Sequence, residues 1–454
     1  MLSSVQLPNE LSLAETRSQT RAILDLTMRL GEVIFAAGAG AEDATAAMHA
    51  VARAYGLERT EADVTHTLLT LTYENRSTHE SISRSRNVKY RTLNYSQLTR
   101  TSLLIGELIR HPLPVPEARL KLAEIVRTRS PVSRFWRRIG WSLLGAGAAI
   151  LIGGGPVVIV AAFVATFFVD LLTETLARHK VPVFYQAVAG GAIGPIVAAL
   201  VQVIDPSASS SKVIVATIIM LLAGVTTFGA VHDILSGFYV TGSARGAEAV
   251  VITMGLVTGV AGSALLLSRM GFTLSTDMAT PTLENLPLLL VAAVVIVAGF
   301  SLAVQMPWRA FWLVAVLGAL AELLYFLGVS AGFGPIWSSA VSAFGVGLVA
   351  GIASRIVRTP PLVIVVAALV PLVPGLVLFR SLLQLFEGDI NGLLGMLTAA
   401  AVAGALAAGA ILAQYLVQSI WGPARRLQRR FIGPVMALQV SLHRRKSIRP
   451  EDSL

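Results

Sequence analysis

The sequence predicts a membrane-spanning all-α bundle of about ten transmembrane helices, built as two five-helix halves with a weak repeat and preceded by a small cytosolic α/β domain. Three observations predict it. The 454-residue chain is 54% hydrophobic and only 14% charged, with a mean hydropathy of +0.71, whereas soluble domains carry about 25% charge. Apolar stretches follow one another after residue 138, each near the ~20 residues a helix needs to cross hydrocarbon. The basic residues sit at the ends: of 36 Lys and Arg, 19 precede Ile139 and eight follow Trp421, so the net charge of +10 belongs to the flanks. Basic clusters beside apolar spans act as orientation signals. On that ground a lipid bilayer is the expected partner and nucleic acid is not.

The first part, residues 1–133, reads as the cytosolic domain. Its opening residues lack a basic stretch followed by an apolar core, so no secretory leader is expected. Ile23, Leu26, Leu30 and Ile34 share one helical face over 15–37, and Gly38-Ala39-Gly40 ends that helix. Glu42 and Asp43 open a second helix, where carboxylates favour the N-terminal dipole, and Tyr55-Gly56 stops it. ADVTHTLLTLTY, residues 62–73, is rich in Thr and Leu and predicts one strand. The polar run 74–95 predicts one or two exposed strands, and helices follow over 96–110 and 116–128.

Ten spans are then expected, at 139–153, 156–177, 182–204, 213–236, 246–268, 286–304, 310–328, 335–354, 361–384 and 392–418. They divide into halves over 134–270 and 285–420, with a basic cytosolic tail over 421–454. With the N-terminus inside, the inner loops hold Arg178, Lys180, Arg245, Arg309, Arg355 and Arg358, and the outer loops hold Lys212 and Arg269. That asymmetry follows the positive-inside rule and places both termini in the cytosol, which needs an even number of spans. The repeat is visible in two registers. Gly155-Pro156 and Gly334-Pro335 each precede a further proline, Pro182 and Pro361, by the same interval, while Gly229, Gly242 and Gly246 have the spacing of Gly375, Gly388 and Gly392. The registers differ, since one aligns Pro156 with Pro335 and the other Gly229 with Gly375, so on this reading the first half needs an insertion of about one helix.

Ionisable residues inside spans are costly, at ~2.5–3.5 kcal/mol or more each, and mark functional positions. Asp170 and Glu174 share one helix face, His232 and Asp233 lie near the inner end of the fourth span, and Arg245 and Glu248 open the fifth. Asp170, Glu174, His232, Asp233 and Glu248 are the functional candidates of the inner half, with Asp170 the deepest. Glu322 and Arg380 fall in the outer half of their spans and could pair. Simpler roles stand beside these: Arg245 and Glu248 can snorkel at the interface, Glu174 can pair with Arg178 one turn on, and His232-Asp233 can cap a helix end. In the ninth span, Pro371 and Pro374 remove two backbone donors and Gly375 loosens the chain, which predicts a break near mid-depth. Carbonyls freed there are tolerated only where they face protein or a water-filled cavity. Pro371, Pro374, Gly375, Arg380, Glu322 and Arg245 are therefore the substrate-binding candidates.

The chain has no cysteine and shows no nucleophile elbow, HExxH or Walker pattern; no metal or cofactor is expected. GAGAED lacks the Lys-Ser/Thr of a phosphate loop. Three stretches are similar to the threonine/serine exporter family in its long, fused form: RLGEVIFAAGAGAEDATAAMHAVARAYGL, DILSGFYVTGSARGAEA with Asp233, Gly242 and Arg245, and PLVPGLVLFRSLLQLFEGDINGLLG. One departure is Phe228-Gly229, where many relatives have Pro-Gly. The resemblance implies a secondary carrier in a bacterial inner membrane that moves small hydrophilic amino acids outward with protons as the second partner, which makes Asp170, Glu174, His232, Asp233 and Glu248 the candidates for proton coupling. Export of small dicarboxylates such as succinate, or a membrane hydrolase acting through the cytosolic domain, are the alternatives. Self-association into a homo-oligomer stays open.

Overall fold

The computed structural model describes residues 7–75, 80–88, 91–128, 132–272 and 285–421; the predicted basic tail after Trp421 lies outside them. The described residues fall into two compact units, one within 1–129 and one within 130–417.

The first unit is α/β. Helices α1 (Leu7–Ala36) and α2 (Ala41–Ala54) are followed by strands β1 (Thr60–Thr65), β2 (Leu68–Glu74) and β3 (Ser81–Asn87), then by α3 (Tyr95–Arg110) and α4 (Val115–Arg127). The strands form an antiparallel meander in the order β1-β2-β3, with Val64 opposite Leu69 and Leu71 opposite Arg84. The single strand expected over 62–73 is thus a hairpin. His66 takes φ of 47° at its turn, a left-handed conformation for which His is one of the more tolerant residues. Leu24, Leu30, Phe35, Met48, Leu69, Leu71 and Ile105 are buried. Gly31 lets α1 approach closely, since a Cβ there would meet Met48 Sδ at 2.8 Å.

The second unit is a helical membrane bundle. It runs α5 (Arg134–Leu151), α6 (Pro156–Arg178), α7 (Val183–Ile204), α8 (Ser210–Ile218), a 3-10 turn Ile219–Leu221, α9 (Gly224–Leu235) and α10 (Tyr239–Arg269). The second series is α11 (Leu286–Ala303), α12 (Trp308–Ser330), α13 (Pro335–Val357), α14 (Pro361–Leu369), a 3-10 turn Val370–Leu372, α15 (Gly375–Phe386) and α16 (Asn391–Trp421). Among the described residues seven helices are long and apolar enough to cross a membrane, and nine if each of two bent pairs, α8–α9 and α14–α15, is one span. The first of the ten expected spans corresponds to α5. Arg134, Arg137 and Arg138 in its opening turns keep it below that standard of apolarity.

The two series match element for element. Helix lengths are 18, 23 and 22 residues, then 9, 3 and 12 across the bend, then 31 in the first. The second gives 18, 23, 23, then 9, 3 and 12, then 31. The interval between the starts of equivalent helices stays constant to within one position throughout, so that Arg134 answers to Leu286, Pro156 to Trp308 and Gly224 to Gly375. Positive φ recurs in the same register at Gly153 and Gln305, Lys180 and Gly332, and Gly237 and Gly388. The two registers read from glycine and proline spacing, Pro156 with Pro335 and Gly229 with Gly375, are therefore both wrong, and no inserted helix exists among the described residues. Those glycines do different local jobs. Gly242, for example, lets α10 approach the Ala230 carbonyl, where a Cβ would come within 2.6 Å.

Helix α5 lies lengthwise against α11. A Cβ on Gly140 would meet the Gly299 carbonyl at 2.7 Å, and one on Gly147 would meet Ile296 Cγ1 at 2.7 Å. Rising numbers on one helix meet falling numbers on the other, so this equivalent pair is antiparallel. The second series is consequently inverted relative to the first, about a two-fold axis across the helices. The seam obeys that symmetry. Gly147 faces Ile296 and Gly299 faces Leu144, and in the repeat register Gly147 answers to Gly299 as Leu144 answers to Ile296. Small residues at such seams let backbones approach where lipid provides no hydrophobic drive. Gly299→Leu places side-chain atoms on the α5 backbone and is expected to destabilise the bundle by at least the ~1–3 kcal/mol of an overpacked core. Melting in detergent checks it against Gly262→Ala, a position with no atom within 4 Å of the added Cβ; an unchanged melting temperature for Gly299→Leu would contradict the seam.

Candidate functional site

The two bends meet. Chain direction changes by 46° between α8 and α9 and by 49° between α14 and α15. At the first bend Leu222 and Ala223 leave the helix and Gly224 restarts it; at the second Val373 and Pro374 do the same before Gly375. A Cβ on Gly224 would meet Val373 Cγ1 at 2.7 Å and the Gly375 nitrogen at 3.4 Å, while one on Gly375 would meet Leu222 Cβ at 2.9 Å and the Gly224 nitrogen at 3.2 Å. Two backbones touch here through glycines that are repeat equivalents. The break expected from Pro371, Pro374 and Gly375 is present, with Pro374 and Gly375 buried. The matching break in the fourth span contains no proline, and the sequence analysis does not anticipate it. Its only local sign is Gly224 after two leucines and an alanine.

Past the crossing, each restarted helix buries a phenylalanine, Phe228 on α9 and Phe379 on α15, and these two are again repeat equivalents. Phe379 and Leu383 join the core built by Ala148, Val158, Ala162, Ile214 and Leu256 of the first series. The second series thus supplies part of the first one's core.

The charged candidates fall at opposite ends of the bundle. The end that holds the start of α5 and the end of α6 carries most of them. Asp233 and Arg245 form an ion pair at 2.5 Å, and both are buried. Gly237, with φ of 91°, makes the turn that brings α10 back along α9. Gly229 leaves room for the guanidinium, whose Nη1 would lie 3.4 Å from a Cβ at that position. The Asp233, Gly242 and Arg245 of the motif are therefore one construction, a close helical hairpin closed by a buried charge pair. His232 is buried beside it, packed near the Phe228 ring at 6.2 Å. Glu248 is exposed and stands outside the buried pair.

A second cluster joins α5 to α6. Glu174 binds Arg138 and Arg178 at 2.7 Å each and Arg137 at 3.2 Å, and Asp170 lies 3.4 Å from Arg138 Nε. The i,i+4 pairing of Glu174 with Arg178 exists, but it is one contact of three. Arg137 and Arg138 are not among the expected site residues. Their adjacency in WRRIGW at a span's edge reads as an orientation signal, and only the fold shows them reaching the acids of the next helix.

The opposite end carries Glu322 and Arg380, which the structure does not pair. Glu322 is 4% exposed, its Oε2 has no hydrogen-bond partner, and among the described residues it makes no ion pair. Arg380 is partly buried on α15, which packs on α9 and α10, whereas the Glu322 helix packs on α11, α13, α14 and the Val370–Leu372 turn. Among the described residues no three His, Cys, Asp or Glu side chains converge as a metal site. Breaking one partner of a buried charge pair strands the other, at about 3–5 kcal/mol. Asp233→Ala and Arg245→Ala are each expected to lower the melting temperature in detergent sharply, and the double variant less than either. Additive losses would show that the pair is not coupled.

Two family models match the chain: one described as a threonine/serine exporter over residues 25–267, and one described as "Threonine/Serine exporter, ThrE" over residues 289–416. The chain is 31% identical over 445 residues to a protein of Mycobacterium tuberculosis (strain ATCC 25618 / H37Rv) named "Probable threonine/serine exporter", covering 92% of this chain and 83% of that one. It is 27% identical over 422 residues to the threonine/serine exporter of Corynebacterium glutamicum, covering 90% and 85%. No solved structure matches it.

Proposed function

The chain belongs to the threonine/serine exporter family, and from that premise we propose that it is a secondary carrier moving threonine and serine out of a bacterial cell across the inner membrane, coupled to protons. The observation that carries the mechanism is the crossing of two broken spans related by an inverted repeat. Inverted repeats with discontinuous helices are how many carriers place a substrate site at mid-membrane and expose it alternately to each side. A zwitterionic amino acid needs both donors and acceptors, and interrupted helices offer backbone dipoles of both signs at one depth.

In this reading Pro371, Pro374 and Gly375, with Leu222–Gly224 from the first series, line the substrate path. Arg380 and Arg245 are the cations available to a substrate carboxylate, from opposite ends of the bundle. Arg245 is held by Asp233, so it would engage substrate only by exchanging partners; Arg380 follows Gly375 on α15 and is the cation next to the second break along the chain. Asp170, Glu174, His232 and Asp233 are the proton-coupling group. Asp170 and Glu174 are clamped by arginines, so their titration would accompany opening of the α5–α6 cluster. Both termini lie in the cytosol with ten spans, α5 included because it holds the same place in its series as the apolar α11. The constant interval between equivalent helices supports the two five-helix halves.

Two measurements test this. Cells lacking the protein and fed threonine-containing dipeptides are expected to accumulate threonine, and succinate feeding is expected to make no difference. Export restored by the wild-type chain should collapse with an uncoupler and be absent with Gly375→Leu, whose side chain would meet Leu222. Threonine levels indifferent to the protein would overturn the substrate, and export indifferent to the uncoupler would overturn proton coupling. For topology, a single cysteine at exposed Ser209 should react with a membrane-impermeant probe added outside, and one at exposed Ser243 should not. The reverse pattern would invert the assignment.

A further inference from the structure

Asp170 and Glu322 are the same position of the repeat. Each is the fifteenth residue of its helix, Asp170 counted from Pro156 on α6 and Glu322 from Trp308 on α12, and the two helices are equally long. Because the second series is inverted, the two carboxylates lie at matching depths from opposite ends. Each is buried, at 7% and 4% exposure.

Their surroundings differ. Asp170 has Arg138 at 3.4 Å, with Arg137 and Arg178 close by on Glu174. The positions equivalent to Arg137, Arg138 and Glu174 are Leu289, Leu290 and Phe326, so nothing of that cluster exists around Glu322. The elements packed on α12 are α11, α13, α14 and the Val370–Leu372 turn. Helices α11 and α14 and the turn hold no ionisable residue, and α13 holds Arg355. Arg355 lies well along α13 from Ser342, whose hydroxyl donates to the Ala321 carbonyl at 2.7 Å beside Glu322. On α12 itself the ionisable neighbours are Tyr325, one turn away, and Arg309 near its start. Glu322 thus sits on a helix that packs against the Val370–Leu372 turn, with one carboxylate oxygen lacking a hydrogen-bond partner.

A charged carboxylate isolated in hydrocarbon is among the most costly groups a span can bury. It is met by a cation or by a proton. A metal-type cation needs several oxygen ligands at once, and among the described residues no cluster of acidic ligands surrounds this one. We propose that Glu322 is a proton-carrying site of the transport cycle, the counterpart at the opposite end of the bundle of Asp170, so that the carrier binds its proton on a different acid on each side of the crossing. The proposal rests on the proton-coupled reading above and names the residue that loads at the far end.

The full-length protein in liposomes with a trapped pH dye, given a threonine gradient, reads protons moved per threonine moved. Glu322→Gln mimics the protonated acid at constant shape and is expected to lower that ratio at least tenfold. Glu322→Asp, which keeps a titratable group, should retain a ratio within twofold of wild type and shift the pH at which coupling is half lost. An unchanged ratio in Glu322→Gln overturns the proposal, as does loss of threonine movement in both variants, which would make the residue part of the substrate site or the fold. Threonine uptake driven by a sodium gradient, and lost in Glu322→Gln, would replace the proton by sodium. Wild-type protein that moves threonine without protons overturns the parent reading and this one together; a coupled wild type with a coupled Gln variant overturns this one alone.

Discussion

A helix interrupted inside a bilayer exposes backbone donors and acceptors where no water can reach them, and each left unmet costs several kcal/mol. The membrane unit sets its two interruptions against each other, so that they face protein rather than lipid. Glycine permits the approach: a Cβ on Gly224 would meet Val373 Cγ1 at 2.7 Å, and one on Gly375 would meet Leu222 Cβ at 2.9 Å. For the interruptions to coincide in depth, the helices leading to them must match in length, and the 9-residue arms and 3-residue turns do. The α5–α11 seam then holds the halves in that register, because Gly147 on Ile296 and Gly299 on Leu144 admit little sliding.

Apart from the equivalent buried acids Asp170 and Glu322, charge is distributed unequally around this crossing. One end concentrates Arg137, Arg138, Asp170, Glu174 and Arg178 in one network and Asp233 with Arg245 in another. The other end has Glu322 and Arg380 on helices with different neighbours. Paired charges inside a protein are held by geometry and resist separation. The first end is therefore latched by ion pairs.

Much of this is legible in the residues. Apolar length marks the spans, the distribution of basic residues among the loops suggests an orientation, and Pro371, Pro374 and Gly375 announce a break because their chemistry opposes a helix. The equivalent break is hidden because Leu221, Leu222 and Ala223 are ordinary helix formers; what bends the chain there is its partner across the axis. The repeat shows in the sequence but in the wrong register, since glycines and prolines that turn, cap or pack single helices recur at spacings that mimic one. Buried acids can be found from hydropathy. Which of them have arginines beside them cannot, because Arg138 and Asp170 are distant in the chain and meet only once α5 and α6 fold back on each other.

A carrier made of two identical inverted halves would present the same mouth to both sides, and its outward and inward half-cycles would have equal barriers. Any kinetic preference for one direction must arise where the halves differ. Those places include Arg137, Arg138 and Glu174, which answer to Leu289, Leu290 and Phe326; Asp233 and Arg245, which answer to Gln384 and Leu397; and Arg380, which answers to Gly229. The equilibrium is set by the gradients alone, and in the carrier reading differences of this kind decide which side opens more readily. Any rectification would thus lie in side chains laid over a symmetric backbone frame.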